Sequence, residues 1–362
     1  MKSQQILAKL IKFNTVKDQE NKIIMKYLAD LLKPVGFKIQ MVKDKKTKNL
    51  NLLAKFNQKK PVLTFSGHTD TVPATKDWNY DPFKLTQKGN KLYGLGTSDM
   101  KGGIATFLQA VLKQDLKNLK KGLNLVFTFG EEEAIEGIQS FLKKIKLKTK
   151  YIILAEDTGL GPVVASKGAY AIKIEFEGKA AHGAEINKGV NAILIAQDFI
   201  DKLEKYFKKQ KNKLNSLFEA PFATVNVAKV LGGDLINRIP SYCCLEFEYR
   251  TVNYNQGVLI YQDILAILKK MNCKFKIKLI NQIEPMLIKN KKLINSMEKL
   301  TNKKVVGING ATEGTYYKKY GYDCVILGPG NGLAHQPNEY ISKDQLKKAE
   351  FLYDNFIKEF CY

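Results

Sequence analysis

The segment Leu123–Glu133 reads LNLVFTFGEEE, an apolar run that ends in one glycine and three consecutive glutamates. The run predicts a buried strand as far as Phe129. An ionised carboxylate in a low-dielectric site is costly unless it is paired or bound to a metal. Local sequence alone leaves two explanations of the glutamates open. They begin a helix, where acidic side chains favour the macrodipole, or they belong to a metal site.

A second predicted strand, 61–66, also ends in polar residues, because it leads directly to His68 and Asp70. Residues two apart in an extended segment point the same way, so these two side chains share a face. A carboxylate in that position can fix the tautomer of a metal-bound imidazole. Taken singly, this pattern is only a weak indication of a metal site.

Two more carboxylates lie at predicted strand or loop ends. Asp99 lies in a glycine-rich loop before the apolar run 104–112, which predicts a helix, and Glu156 follows the predicted strand Tyr151–Leu154. The loop lacks the Walker lysine–serine pattern of a phosphate site. Because ligands of α/β sheets lie at the carboxyl ends of strands, we expect these carboxylates to lie near His68.

The middle of the chain has a different order of strand and helix patterns. Strand and helix patterns follow one another in the order βαββαβ, at 171–177, 190–207, 224–230, 243–249, 258–270 and 275–283. That order predicts a small antiparallel-sheet domain inserted into a larger one. We therefore expect a catalytic domain in two parts, 1–166 and 284–362, around an inserted domain at 167–283.

The composition excludes several classes of protein. No apolar run reaches the length of a membrane span and the N-terminus lacks a signal-peptide core, which predicts a cytoplasmic protein without membrane contact. The five cysteines have neither metal-binding nor disulfide spacing. The net charge of +24 comes almost entirely from dispersed lysines, and Arg238 and Arg250 are the only arginines. Since nucleic-acid readers usually rely on arginine forks and clustered patches, we expect no nucleic-acid partner.

The three histidines, His68, His182 and His335, each lie in a glycine-flanked loop at a predicted strand end. A buried core histidine is the usual explanation for any one of them. Three such loops beside acidic strand ends instead favour a ligand set of imidazole and carboxylate without thiolate. That set suits zinc, cobalt or manganese in a hydrolytic site.

Seven ordered motifs carry a family resemblance: SGHTDTVP, LYGLGTSDMKGG, FTFGEEE, AEDTG, KAAHG, NRIP and GPGNGLAHQPNEY. Together they resemble the family of acetylornithine deacetylase and succinyl-diaminopimelate desuccinylase, relatives of carboxypeptidase G2 and the aminoacylases. The resemblance implies an α/β fold, with a mixed-sheet, zinc-peptidase-like catalytic domain and an inserted α+β lid domain. In this family the lid commonly also forms a homodimer.

The resemblance also implies a co-catalytic pair of divalent metal ions, usually zinc, with cobalt or manganese as alternatives. Asp99 matches the carboxylate that bridges the two ions. His68 and Glu156 match the ligands that complete one metal site, and Glu132 and His335 match those of the other.

Further roles are implied by the same motifs. Glu131 matches the general base, Asp70 the partner of His68, and His182 the lid histidine that reaches the active site of the partner subunit. The peptide bond after the bridging aspartate, here Asp99–Met100, is often cis in the family. Substrates of the family carry an α-carboxylate, for which the expected contacts are Arg250, Asn237 and Thr312.

Two motifs depart from the family pattern. The usual Gly-Glu-Pro is Ala155-Glu156-Asp157 here, so either acid can be the ligand, and alignment with the family favours Glu156. Gly310-Ala311-Thr312-Glu313 replaces the more common Gly-Gly-Thr-Asp, which bears on the choice of substrate.

The sequence therefore predicts an enzyme that hydrolyses the amide bond of an N-acyl amino acid. Succinyl-diaminopimelate desuccinylase is the first choice, and acetylornithine deacetylase, another aminoacylase or a dipeptidase are the alternatives within the family. A catalytically inactive binding or nucleic-acid-associated relative is the alternative from another class. That class predicts broken ligand positions, and all five are intact.

Overall fold

The computed structural model describes residues 2–57, 60–212 and 214–362. Its strands are β1 Lys38–Lys43, β2 Leu50–Phe56, β3 Pro61–His68, β4 Thr86–Lys88, β5 Lys91–Tyr93, β6 Gly122–Thr128, β7 Tyr151–Leu154, β8 Val163–Ser166, β9 Gly168–Glu177, β10 Thr224–Gly232, β11 Tyr242–Thr251, β12 Lys274–Ile283, β13 Met286–Leu287, β14 Val306–Ile308, β15 Asp323–Ile326 and β16 Tyr340–Ser342. Its α-helices are α1 Ser3–Ile11, α2 Asn21–Leu32, α3 Lys101–Leu112, α4 Glu131–Ala134, α5 Glu136–Lys144, α6 Ala192–Gln210, α7 Gln256–Lys270, α8 Lys291–Thr301, α9 Gly314–Lys319 and α10 Lys343–Cys361.

The chain divides into two compact units. The first comprises Met1–Val164, Ile288–Val306 and Thr312–Tyr362, and the second comprises Ala165–Leu287 and Gly307–Ala311. The sequence placed 284–362 in one piece. The structure groups 307–311 with the second unit because β14 pairs with β8 and the Lys167 N–H donates to the carbonyl of Ile308.

The first unit is built on a mixed sheet with the strand order β1-β2-β6-β3-β7-β15-β8. Strands β6, β3, β7 and β15 run parallel, whereas β1, β2 and β8 are antiparallel to their neighbours. Every residue of β6 is buried, because the sheet is covered on both faces. The mixed α/β class expected from the sequence is thus confirmed.

The two layers of helices can be placed from consecutive residues of β3. The Ser66 hydroxyl lies 2.7 Å from the hydroxyl of Tyr317 on α9. At Gly67 an added Cβ would lie 2.9 Å from Ile104 on α3. Since neighbouring strand residues point to opposite faces, α3 and α9 cover opposite sides of the sheet. Helices α1 and α10 pack with α3, and α5 packs with α9.

The parallel strands all end at one edge of this sheet. His68 is the last residue of β3, and the loops after β6, β7 and β15 carry Glu131, Glu156 and His335. Helix α3 closes on this edge because Gly103, in its first turn, comes so near the chain that an added Cβ would lie 2.0 Å from the carbonyl of Ala155. The edge therefore collects polar groups from strands that are far apart in sequence.

The second unit has the predicted βαββαβ order, β9-α6-β10-β11-α7-β12, and its antiparallel sheet has the order β10-β11-β9-β12. Residues of β9 alternate between buried and half-buried positions, as in a sheet with one face on a core. Helices α6 and α7 supply the other half of that core through Phe199, Leu203 and Ile264.

Two helical segments of the first unit have local causes or breaks. Helix α8 begins at Lys291, because the side chain of Asn290 accepts the Leu293 N–H at 3.1 Å and caps the helix there. The N-terminal segment forms two separate helices, α1 and α2. Among the described helices none is long and apolar enough to cross a membrane.

Candidate metal centre

Five side chains meet at the carboxyl edge of the sheet in the first unit. They come from the end of β3, the loop before α3, the first turn of α4, the loop after β7 and the loop after β15: His68, Asp99, Glu132, Glu156 and His335. One ligand atom each of His68, Asp99 and Glu132 lie within 4.8 Å of one another. The structure thus brings together all five residues for which the sequence predicts metal ligation.

His68 is completely buried, and its two ring nitrogens face different groups. Nε2 lies 3.1 Å from Oδ1 of Asp99 and 3.5 Å from Oε1 of Glu156. Nδ1 faces Asp70, at 3.1 Å from its carbonyl oxygen and 3.5 Å from its carboxylate. This arrangement leaves Nε2 for a metal and uses Asp70 to orient the ring.

Asp99 lies between the two histidines. Its Oδ1 faces His68, and its Oδ2 lies 3.4 Å from Nε2 of His335, which itself lies 2.8 Å from Oε2 of Glu132. One carboxylate thus presents an oxygen to each of two donor groups, as a bridging ligand must. The expected cis peptide bond between Asp99 and Met100 is present.

Glu156 and Asp157 have different environments. Glu156 faces His68, and its Oε1 is buried without a hydrogen-bond partner in the described part of the chain. Asp157 accepts hydrogen bonds from the Ser98 hydroxyl at 2.7 Å, the Gly332 N–H at 2.9 Å and the Gly159 N–H at 3.1 Å. Because the oxygens of Asp157 are already bonded, the geometry favours Glu156 as the ligand.

The electrostatics of the cluster call for positive charge. Burial raises the pKa of Glu156 to about 8 and also raises that of Glu132. Burial acts to lower the pKa of His68, but Glu156 and the hydrogen bonds to Asp70 and Asp99 outweigh it and raise this pKa well above its usual value. Hydrogen bonds to Asp99 and Glu132 raise the pKa of His335 to about 10. The histidines and glutamates of the cluster therefore bind protons strongly when no metal is present. Bound divalent cations would supply this positive charge in place of the protons.

The donor set fits a pair of divalent cations. Glu132 Oε1, Glu156 Oε1 and Asp70 Oδ1 are buried without a hydrogen-bond partner among the described residues. Leaving such acceptors unsatisfied costs free energy that a bound cation would recover. Imidazole and carboxylate oxygens without thiolate are donors that zinc and similar ions accept in hydrolytic sites.

Glu131 lies in the first turn of α4 beside these ligands. Burial raises its pKa well above the ordinary value, and the negative charges of Glu156, Asp99 and Glu132 add to that rise. A carboxylate with a raised pKa can both accept and return a proton near neutral pH. Glu133, the third glutamate, is exposed.

The remaining predicted site residues lie in two places. Thr312 is in the first unit, where its hydroxyl accepts the Gly314 N–H at 3.2 Å. His182, Asn237 and Arg250 are in the second unit. There the Asn237 carbonyl accepts the Gly183 N–H at 2.8 Å, whereas the Arg250 fork is engaged by Glu248, with Nη2 to Oε2 at 2.9 Å.

Sequence reasoning missed three buried charged groups near the ligands. Glu339 accepts three backbone N–H bonds from the loop of Asp99, Glu313 is fully buried near Asp70, and Lys101 donates to the Phe13 carbonyl at 3.0 Å. Each sits in a quoted motif, but Glu339 and Lys101 bond to backbone atoms, and neither carboxylate oxygen of Glu313 has a hydrogen bond of normal geometry among the described residues. Backbone partners leave no trace in side-chain patterns.

Comparison with known proteins agrees with this geometry. Residues 64–359 match peptidase family M20/M25/M40. The chain is 35% identical to an acetylornithine deacetylase of Buchnera aphidicola (subspecies Schizaphis graminum), over 99% of this chain and 98% of that protein. It is 30% identical to an acetylornithine deacetylase of Pasteurella multocida, over 95% and 92%.

Solved structures show the same fold. A tripeptidase from Staphylococcus aureus superposes with a TM-score of 0.82 at 20% identity, over 99% of this chain and 97% of that one. A family M20 metallo-carboxypeptidase from Sulfolobus solfataricus gives a TM-score of 0.77 at 20% identity and covers 99% of both chains.

Proposed function

The chain belongs to peptidase family M20/M25/M40 and is a metal-dependent amidohydrolase, and we propose that its substrate is N-acetylornithine, which it hydrolyses to acetate and ornithine. The observation that carries this proposal is the full-length likeness to acetylornithine deacetylases. The motifs alone made succinyl-diaminopimelate the first choice of substrate. The relatives favour the alternative, so the succinylated compound becomes the competing substrate in the test.

The proposed metal site uses His68, Asp99 and Glu156 for one ion and Asp99, Glu132 and His335 for the other. The ions are proposed to be zinc. Two such ions, when bound, would acidify a water molecule and polarise the scissile carbonyl. The distances given above support this assignment of ligands, because Asp99 lies between the two histidines.

Glu131 is the proposed general base. It removes a proton from the attacking water while the water oxygen forms its bond to the carbonyl carbon. When the carbon–nitrogen bond breaks, Glu131 passes that proton to the leaving amine, so that acetate and ornithine leave. The raised pKa of Glu131 supports this role, because the side chain must hold the proton between the two steps.

His182 is the proposed hydrogen-bond donor to the oxyanion. Its Nδ1 accepts the Ala184 N–H at 3.1 Å, which places the proton of a neutral ring on Nε2. The ring is exposed, so its Nε2–H can donate to a substrate oxyanion. Arg250, with Asn237 and Thr312, is the proposed contact for the α-carboxylate. Because Glu248 already engages Arg250, a substrate carboxylate would share or displace that partner.

We also propose a homodimer through the second unit. Strand β10 lies at a free edge of its sheet. The residues around it expose apolar side chains: Ile186, Val190, Leu194, Leu231, Leu235 and Ile236, the last fully exposed. A contiguous apolar edge of this kind favours a second copy of the chain. Light scattering should report a dimer for the wild-type chain and a monomer for Ile236→Glu. A wild-type monomer would remove this part of the proposal.

The substrate assignment is tested with zinc-loaded protein against N-acetylornithine, N-succinyl-diaminopimelate and a panel of dipeptides. Release of free amine, compared as kcat/KM, ranks the substrates. A preference for N-acetylornithine supports the proposal. A higher kcat/KM for the succinylated compound would replace it with the desuccinylase reaction, and a preference for dipeptides would replace it with peptidase activity.

A further inference from the structure

A buried carboxylate that is not a proposed ligand holds the loop of the bridging aspartate. Glu339 is 2% exposed. Its Oε1 accepts the N–H of Ser98 at 2.6 Å and of Asp99 at 3.0 Å, and its Oε2 accepts the N–H of Gly96 at 2.9 Å. Its carbonyl oxygen accepts the Gly94 N–H at 3.1 Å. One residue thus satisfies four backbone donors of a six-residue loop that ends at Asp99.

The position of Glu339 links two ligand loops. It lies four residues after His335, and the strand β16 that follows it pairs with β5, which leads into the loop of Asp99. Tyr340 pairs with Tyr93 in that register. The pairing of β16 with β5 therefore fixes both Glu339 and the start of the loop that carries Asp99. If the loop of His335 moved relative to the loop of Asp99, the hydrogen bonds from Glu339 to that loop would have to break.

A second carboxylate braces the same loop from the other side. Oδ2 of Asp157 accepts both the Ser98 hydroxyl at 2.7 Å and the Gly332 N–H at 2.9 Å. The chain after β15 passes so close that an added Cβ at Gly330 would lie 1.9 Å from Cγ of Asp157. Ser98, the residue before the bridging ligand, is thus bonded to two carboxylates that belong to two other ligand loops.

Only a carboxylate can make the contacts of Glu339. Three N–H donors need acceptors on both side-chain oxygens, whereas a glutamine would turn an NH₂ group toward one of the donors. No salt bridge to Glu339 occurs in the described ranges, so backbone dipoles are the nearest groups that balance its charge, and the positive charge of Lys101 acts on it from farther away. Burial raises its pKa to about 7 although the three N–H bonds lower it. A costly buried group of this kind is kept where geometry matters.

We propose that Glu339 and Asp157 are positioning residues that fix Asp99 relative to His335, so that both metal sites form together with high affinity. Neither side chain touches a metal or the substrate. They act by holding the loop on which the shared ligand sits, so the effect of their loss falls on metal affinity. The inference rests on the proposed metal site, and on its zinc, but not on the choice of substrate.

The test is zinc affinity, measured by competition with a chromophoric chelator, together with thermal unfolding of the metal-free protein. For Glu339→Gln we expect a loss of about 10- to 100-fold in affinity, as is common for groups that orient metal ligands. Asp157→Asn should lose less, because only one of the three bonds of Asp157, from the Ser98 hydroxyl, comes from the loop of Asp99, whereas all three side-chain bonds of Glu339 do.

The control is Asp44→Ala, which removes a carboxylate that braces a different loop. Asp44 also holds a loop, with bonds from the Lys46 N–H at 2.8 Å, the Thr47 N–H at 2.7 Å and the Thr47 hydroxyl at 3.1 Å. If the loss of a loop brace lowered zinc affinity only through stability, this variant would lower it too. We expect its unfolding temperature to fall and its zinc affinity to stay at the wild-type value.

The outcomes separate the two proposals. Wild-type affinity for zinc in both Glu339→Gln and Asp157→Asn overturns the positioning role, as does an equal loss in Asp44→Ala. A wild-type chain that binds no zinc overturns the proposed metal site instead. If Glu339→Gln does not fold, Asp157→Asn decides, because it replaces the charged acceptor of the Ser98 hydroxyl by a neutral amide and leaves the three backbone bonds of Glu339 in place.

Discussion

Replacing Glu313 by glutamine should remove a pH-dependent loss of stability from the metal-free protein. Glu313 is fully buried, and neither of its carboxylate oxygens has a hydrogen bond of normal geometry in the described part of the chain. Burial raises its pKa from 4.5 to about 7, and the negative charge of Asp70 adds to that rise, while His68 and Thr128 oppose it. The folded chain therefore holds this proton when the unfolded chain has already lost it.

The raised pKa of Glu313 determines the sign and the size of the change in unfolding free energy with pH. Between pH 4.5 and 7 the folded state binds more protons than the unfolded state, so the free energy of unfolding falls as the pH rises. One pKa unit corresponds to about 1.4 kcal/mol, and the part of the shift that lies between pH 5 and pH 8 amounts to about 2.5 kcal/mol. Glutamine at position 313 cannot ionise, so Glu313→Gln should lack this fall.

The assay is urea unfolding of metal-free protein at pH 5, 6, 7 and 8, for wild type and Glu313→Gln. At pH 5 Glu313 is itself neutral in the folded state, so the variant should fold there. Its stability relative to wild type should then rise by about 2.5 kcal/mol by pH 8. Parallel curves for the two proteins would refute the argument, because they would show that Glu313 ionises in the fold without cost.

Two further measurements test the same argument, one on a control variant at Glu298 and one on the protein with zinc bound. Glu298 is half-buried at the surface, and its hydrogen bond from Lys304 lowers its pKa. It is ionised in both states above pH 5, so Glu298→Gln should leave the pH dependence of wild type unchanged. With zinc bound, the nearby positive charge should lower the pKa of Glu313 and flatten the wild-type curve.

Three predictions concern the catalytic site. Glu131→Gln should lower kcat by about 10²- to 10⁴-fold with two metals still bound by elemental analysis, since it removes the base and no ligand; loss of metal would make Glu131 a ligand. Glu132→Ala should lower the metal-to-protein ratio, because His335 loses the carboxylate that shares its ion, and an unchanged ratio would exclude Glu132 from the ligand set. Arg250→Lys keeps the charge but not the fork, so KM for N-acetylornithine should rise about tenfold with little change in kcat; an unchanged KM would place the carboxylate elsewhere.

The sequence predicted the fold class well because the sheet is coded by local patterns. Apolar runs such as Leu123–Phe129 can only be buried, and alternating runs such as 171–177 can only lie on a core by one face. The convergence of His68 and Glu156 was predictable for the same reason, because parallel strands end at one edge.

The residues that hold the loops of the proposed metal ligands were not predictable in this way. Glu339 and Asp157 bond mainly to backbone N–H groups, and any residue type except proline offers such a group. Asp157 was even a rival to Glu156 as a ligand, because adjacent acids are equivalent until the fold assigns their directions. Only the strand β7 and the close approach at Gly330 decide which acid faces His68.

The three glutamates after Phe129 show why local sequence left two explanations open. Both features are present, since Glu131, Glu132 and Glu133 form the first turn of α4 and Glu132 also faces His335. The helix start itself contributes to the site, because its Glu132 N–H donates to Oδ2 of Asp70 at 3.1 Å. That bond ties the carboxylate that orients His68 to the turn that carries Glu132. A helix start and a metal site are therefore not alternatives here, because the helix start fixes one proposed metal ligand, Glu132, relative to another, His68.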